Sequence, residues 1–335
     1  MSKMTVEKYF HRCYNKQSCM ARENKNIFEV MKMDFNKLAD FIKNIGKNYS
    51  VPGCDISVYY NHINVFRMHS GFSDEAGKVK VSRKNLYFMN SGAKIMCCTA
   101  LMMLAQSYAL SLGDPVARFV PGVPAGITVR EFIKKYSAEN RTEDEVFGFD
   151  TVKKLIASAS GKSFDEFLES AITRPLKMKS TTFNLNSANE RLIAAQYNYM
   201  GEGKTPIECA TDVRALHDKH TGCLITSVDD YALFTETLTG GGLSKTGKRL
   251  LSRESTEKLI GDLVYNETEK DGAFVSVGNN GSLVLIDMKK KISIVYAQHM
   301  RNMDASVLSM YPELRKTVYE CIGADTWSLG YNIFP

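Results

Sequence analysis

Residues 89–106 read MNSGAKIMCCTALMMLAQ, and the rest of the chain is best read outward from them. Ile95, Met96, Ala100, Leu101, Met103 and Leu104 recur at helical rather than alternating spacing. This predicts a buried helix beginning near Ser91, with Asn90 as its N-cap. Ser91 and Lys94 stand three residues apart at its start, so they share one face and the amine can reach the hydroxyl. A serine in the first turn sits at the positive end of the helix dipole, which favours an attacking alkoxide and the oxyanion it produces. A lysine pressed into apolar surroundings gives up its proton more readily and can serve as a base. The same four letters also fit a capped core helix with a solvated lysine, and spacing alone does not separate the two.

A chain of 335 residues has room for about two domains. It is 44% hydrophobic and 24% charged, as expected of a globular protein. No stretch approaches the roughly 18 apolar residues of a membrane span. The net charge of +6 is modest, and no basic stripe is interleaved with aromatics, so a nucleic-acid partner is not expected. Lys289, Lys290 and Lys291 read as a solvated turn. The first residues are charged throughout and lack an apolar signal core. Eight cysteines fall at irregular positions without a Cys-x-x-Cys, which points to reduced thiols and a cytoplasmic location. Cys97 and Cys98 lie inside the apolar helix, where a thiol behaves as a small hydrophobe. His217 and His220 are close but show no zinc spacing, so neither a metal nor another cofactor is expected. Nothing in the sequence sets the oligomeric state.

Along the chain, residues 1–26 are a polar extension. Residues 27–47 carry the spacing of an amphipathic helix ending near Gly46. DISVYY and INVFRMH are β-rich and separated by Asn61 and His62, which makes a hairpin. The Ser91 helix is expected to run on to LSLGDPV, where Gly113 and Pro115 stop it. Thr128 is a candidate helix cap, and residues 149–178 hold two helices broken at Gly161. Ser227 caps a helix over 228–239, and another begins at Ser252. GSLVLIDMKKKISIVYAQ, residues 281–298, is a second hairpin, followed by a C-terminal helix interrupted near Pro312. Two hairpins at opposite ends of the chain join most economically in one sheet. The expected fold is α/β in the α+β sense: an antiparallel sheet from the N- and C-terminal hairpins, flanked by terminal helices, with an inserted helical lobe. The corresponding domains are 27–83 with 268–335 for the sheet and 84–267 for the helices. Ser91 then lies at the seam, where ligand clefts commonly occur.

Several stretches, in order, resemble one family. They are LYFMNSGAKIMCCTALMML (86–104), SLGDPVARFVPG (111–122) with ITVREFI (127–133), SGKSFDEFLESAITRPLKMKSTTF (160–183), TGCLITSVDDYALFTETLTGGG (221–242), GKRLLSRESTEKL (247–259) and the final hairpin. Over about residues 36–321 the chain resembles the class C β-lactamase and penicillin-binding serine hydrolases and their esterase and D-aminopeptidase relatives. The resemblance implies a β-lactamase/transpeptidase-like fold and a small-molecule or peptide substrate. It implies an acyl-enzyme on Ser91 with Lys94 as base, acting on an ester or amide without a cofactor.

Two further elements of the family depart from its pattern. A Tyr-x-Asn is expected shortly before residue 147, but KYSAENRTEDEV (135–146) contains none. The nearest tyrosine, Tyr136, is either a shifted substitute or a structural residue. The family also carries Lys- or His-x-Gly on a strand lining the cleft. Lys245-Thr246-Gly247 spells this motif but falls in a turn. Registering the final hairpin instead places the motif on Ser276–Asn279, with Ser276 where a cation is expected. Gly278 then keeps the glycine that lets a ligand approach the backbone, and the amides of Asn279 and Ser91 form the oxyanion hole. A second register uses Lys270–Gly272. These departures lead us to expect a hydrolase of weak or altered activity, or a degenerate member that binds a ligand or partner without turnover.

Overall fold

The turn at Asn61 and His62 forms as the sequence predicts: both residues take positive φ, 47° and 68°, the left-handed pair that suits a two-residue hairpin. It joins β1 (Gly53–Tyr60) to β2 (Ile63–Gly71). These coordinates come from a computed structural model that describes residues 33–74, 78–138, 145–201, 206–208, 224–263, 273–278 and 280–325. At the other end of the chain, β3 (Phe274–Val277), β4 (Leu283–Asp287) and β5 (Ile292–Gln298) run antiparallel. The lysine turn between β4 and β5 closes with Lys291 at φ 57° and a 2.8 Å hydrogen bond from the Lys290 amide to Asp287. The two ends meet in one sheet of order β2-β1-β5-β4-β3, in which Cys54 lies opposite Gln298 and Tyr60 opposite Ile292.

All seven residues of β5 are buried. A strand covered on both faces has no reason to alternate polar and apolar residues, which is why Ile294, Val295, Tyr296 and Ala297 follow one another without a polar residue between them. On one face, Tyr296 meets Tyr311 edge-on at 6.1 Å. Tyr311 belongs to the C-terminal helix Met310–Ile322, which is paired with the N-terminal helix α1 (Asn36–Tyr49) through Lys37 to Glu320 and Tyr49 to Glu313 (2.6 Å). On the other face, Val284, Ile286, Val295 and Ala297 join the main apolar cluster. That cluster takes in α2 (Asn90–Gln106), α3 (Val129–Ser137) and α4 (Phe149–Ser160). It also takes in α5 (Val228–Thr239), which lies across β5, β1 and β4, and α6 (Arg253–Leu263). The C-terminal helix is α7. The expected caps are present: Thr128 and Glu131 form a capping box, and Ser227 accepts the Asp230 amide at 3.2 Å. Gly161 ends α4 at φ 67°.

Four local expectations need correction. Helix α2 begins at Asn90 itself, and its cap position is Met89, so Asn90 does not cap it. The Asn90 side-chain oxygen is buried with no hydrogen-bond partner among the described residues. Helix α2 ends at Gln106, short of Gly113, because Tyr108 turns left-handed (φ 60°). Helix α1 starts at Asn36, runs through Gly46 and ends at Ser50 (φ 58°); the expected start at 27 lies outside the described residues. Before α7 the chain breaks at Ser309, leaving Pro312 in the first turn of α7, where its missing N–H costs no hydrogen bond. Among the described residues, Cys54, Cys97 and Cys98 are buried free thiols. No helix of the described residues is long and apolar enough to cross a membrane.

Candidate active site

A two-residue ladder sets the position of Ser91. Tyr87–Phe88 pairs antiparallel with Ile225–Thr226, and each strand leads directly into a helix, α2 or α5. The Met89 amide also donates to the Leu224 carbonyl at 2.9 Å. The two helix starts are thereby held side by side. From α5, the fully buried Tyr231 donates its hydroxyl to the Gly92 carbonyl at 2.9 Å. Burial pushes that phenol's pKa far up, so it stays a donor. A Cβ at Gly92 would lie 3.0 Å from the Tyr231 hydroxyl and 3.2 Å from Met89 Cβ. The residue after the serine must therefore be small.

Ser91 lies half-buried in the first turn of α2, where the backbone N–H groups have no helical acceptor and are available to an anion. Its hydroxyl has no hydrogen bond among the described residues. The half-buried Lys94 follows one turn on, with its ammonium donating to the Ala138 carbonyl at 2.9 Å, just past the end of α3. A C-terminal helix carbonyl is an apt partner for a cation. The Lys94 ammonium also stands 6.0 Å from the centre of the Tyr136 ring. Tyr136 is buried and stacked on Phe132 at 5.6 Å. Burial pushes the neighbouring Cys97 thiol up to about 12, against a hydrogen bond from Tyr136 that lowers it. Residues 139–144, where a Tyr-x-Asn would be sought, lie outside the described residues.

The other wall is β3, the sheet's edge strand. Ser276 is buried opposite Val284 and shares a face with Phe274, which packs in the cluster containing α2. No residue from Phe274 to Val277 carries a cation. The space above Gly278 is not open to a ligand: a Cβ there would meet Ser282 Oγ at 2.6 Å and Asn280 Oδ1 at 2.7 Å. The turn's own side chains occupy it. Asn280 is buried and donates its amide to the Phe88 carbonyl, immediately before α2. From the far side, Tyr311 donates to the Gly281 carbonyl at 2.9 Å and receives a bond from Gln298, also at 2.9 Å. Asn279 and Lys270–Gly272 lie outside the described residues. Lys245 is in a turn, with its amide on Glu236 and its ammonium on the Tyr59 hydroxyl, both at 2.9 Å. Among the described residues no three His, Cys, Asp or Glu side chains are grouped to hold a metal.

Sequence reasoning singled out Ser91 and Lys94 as candidates and gave no sign of their neighbours Asn280, Tyr231 and Tyr311. Only the small residue at 92 hinted that something packs behind the serine.

The sequence profile described as Beta-lactamase matches residues 38–134 and 146–300, from α1 to just past β5. The chain belongs to the beta-lactamase family. Among curated relatives of this beta-lactamase-family chain, Protein flp of Staphylococcus aureus (strain MW2) is 23% identical over 221 residues, 54% of this chain and 44% of that protein. The chain thus matches less than half the length of that relative. Among solved structures, EstCE1, a hydrolase with promiscuous acyltransferase activity, superposes with a TM-score of 0.67 at 16% identity, covering 84% of this chain and 98% of its own. A class C beta lactamase from Rhodobacter sphaeroides gives 0.61 at 16%, covering 86% and 99%. At such identities these structures establish the shared fold.

Proposed function

We propose that this beta-lactamase-family protein is a serine acyl hydrolase acting on a small ester or amide. The observation that carries the reading is the first turn of α2: Ser91 half-buried, Lys94 one turn on along the same face, and Gly92 held from behind by Tyr231. In the reaction, Lys94 acts as the free amine: Ser91 Oγ attacks the substrate carbonyl carbon and its proton passes to the Lys94 nitrogen. The tetrahedral oxyanion rests on the Ser91 amide in the first turn of α2. As the C–O or C–N bond breaks, the proton on Lys94 goes to the departing alcohol or amine. Water then attacks the acyl-enzyme, releasing the acid and returning the serine. Tyr136 serves this site as a neighbour that positions Lys94, since its ring stands 6.0 Å from the ammonium. With no cation from Phe274 to Val277, uncharged esters suit the cleft better than substrates bearing a carboxylate.

One observation favours a second reading, a member that binds without turnover: the Lys94 ammonium is engaged by the Ala138 carbonyl, and the Ser91 hydroxyl is unbonded among the described residues. Intact mass after incubation with a fluorophosphonate probe, and separately with a penicillin, tests both, with Ser91→Ala as control. We expect a fluorophosphonate adduct on the wild type alone. No adduct with either reagent overturns the hydrolase. A penicillin adduct that never clears supports binding without turnover.

A further inference from the structure

The β3–β4 turn closes on itself through main-chain bonds: the Gly278 amide donates to the Ser282 carbonyl and the Gly281 amide to the Gly278 carbonyl, both at 2.8 Å. These bonds set its shape. Its place in the molecule is set by two buried side chains that grip it from opposite sides. Asn280, 2% exposed, reaches towards α2: Ser282 Oγ donates to its Oδ1 at 3.2 Å, which turns the amide nitrogen onto the Phe88 carbonyl. Tyr311, fully buried on α7, donates to the Gly281 carbonyl at 2.9 Å.

Tyr311 is held in turn by Gln298, the last residue of β5. One Nε2 proton goes to the Tyr311 hydroxyl at 2.9 Å and the other to Met303 Sδ at 3.0 Å. With its oxygen accepting from Gln298, the phenol's single proton is committed to Gly281. The fit is close: Gly281 takes φ 84°, and a Cβ there would lie 2.3 Å from Gln298 Nε2. The bonds therefore run from the far face of the sheet, through the turn, to Phe88, just ahead of Ser91. Phe88 and Gly281 are both buried, and a buried carbonyl that loses its donor is costly, so each grip holds while the chain is folded. With both in place the turn can swing neither towards α2 nor away from it. The gap between the β3 wall and the first turn of α2 is thereby fixed.

We propose that Tyr311 is a positioning residue: acting through this turn, it sets the width of the Ser91 cleft and so the bulk of the acyl group the site accepts. The proposal rests on the serine hydrolase reading above. Fully buried, Tyr311 meets no substrate. Without its hydroxyl the turn keeps its shape but can lean away from α2, which admits larger groups and changes little for small ones.

Tyr311→Phe removes the hydroxyl and keeps the ring edge-on to Tyr296 at 6.1 Å. Tyr319→Phe is the control: it removes another buried phenol from α7, one that donates to Asp287 at 2.8 Å, beside the β4–β5 turn instead. Timed labelling of the full chain with two fluorophosphonates, one bearing a methyl and the other a bulky branched alkyl group, is read by intact mass. The ratio of the two rates cancels any loss of folded protein. The bulky-to-small ratio should rise about fivefold in Tyr311→Phe, the weight of one buried hydrogen bond. It should rise in Asn280→Ala too, without a further rise in the double variant, and keep the wild-type value in Tyr319→Phe. An unchanged ratio in Tyr311→Phe or Asn280→Ala, an additive rise in the double variant, or an equal rise in Tyr319→Phe overturns the positioning role and leaves the hydrolase standing. A wild type labelled by neither probe overturns the hydrolase itself, and this proposal with it.

Discussion

At the start of α2, a glycine makes room for another helix: Gly92 lets Tyr231 reach in from behind, and Ser91 is left half-buried, its hydroxyl unbonded among the described residues. At the β3–β4 turn the same residue type serves the opposite end. The space above Gly278 is filled by Ser282 and Asn280, and Asn280 donates across to the backbone of Phe88. One wall of the site is backed and left open. The other satisfies its polar groups within the protein, leaving few donors to greet a substrate. The contrast teaches that a glycine beside a candidate site has to be read by what fills its missing side chain, since ligand and neighbouring protein are equally good occupants.

The largest expected effects break the α2 side. Ser91→Ala should remove fluorophosphonate labelling altogether at every time point by intact mass. Replacing the proposed base with an apolar group of similar reach, Lys94→Met, should slow labelling about 10²- to 10⁴-fold. Stopped-flow or timed-quench labelling that stays within a factor of a few of the wild type would remove Lys94 from the mechanism.

The next effect belongs to the sheet side. His299 follows β5, fully buried edge-on to Tyr197 at 5.2 Å and Tyr87 at 6.4 Å. Burial pushes its pKa from the usual 6.5 down to about 4, with nearby backbone carbonyls opposing this. Above pH 6.5 the ring is neutral both folded and unfolded, and nothing is lost. As the pH falls from 6.5 to 4 only the unfolded chain takes the proton, so stability drops by about 3 kcal/mol in total. Urea melts across that range should show the drop in the wild type and a flatter profile in His299→Gln. Equal slopes would mean that His299 is hydrated or paired.

Smaller effects sharpen the comparison of the two glycines' neighbourhoods. Gly92→Ala forces a methyl group against Tyr231 and should cost about 1–3 kcal/mol, read as a lowered melting temperature. Asn280→Ala leaves the buried Phe88 carbonyl without its partner and should cost about 1–3 kcal/mol. If Asn280→Ala also raises the labelling rate, the β3 wall restrains the site; an unchanged rate confines Asn280 to stability.

What the sequence made legible follows the range of the forces involved. The Asn61–His62 turn, the Thr128 and Ser227 caps and the break at Gly161 are local, and all could be read from a few letters. The joining of the hairpins followed from economy, since two apolar hairpins with nothing else to pair with will pair with each other. The start of α2 was misjudged by one residue because the Tyr87–Phe88 ladder with Ile225–Thr226 sets it, and that pairing is invisible locally. Tyr231 and Asn280 were missed for the same reason: their partners lie 139 and 192 residues away. Ser91 and Lys94 could be singled out because the pattern that proposes them spans four letters on one helix turn.

The pairing of β1 with β5 also bears on how the molecule is made. Cys54 lies opposite Gln298, so the centre of the sheet closes a loop of roughly 240 residues. On a ribosome, the first hairpin emerges with one edge unpaired and keeps it so until nearly the whole described chain has followed. The helical body, built from neighbours in sequence, can assemble first, and the sheet seals last. During that interval the open edge of β1 is the place where a nascent chain is most exposed to pairing with another, and where a chaperone has most to protect.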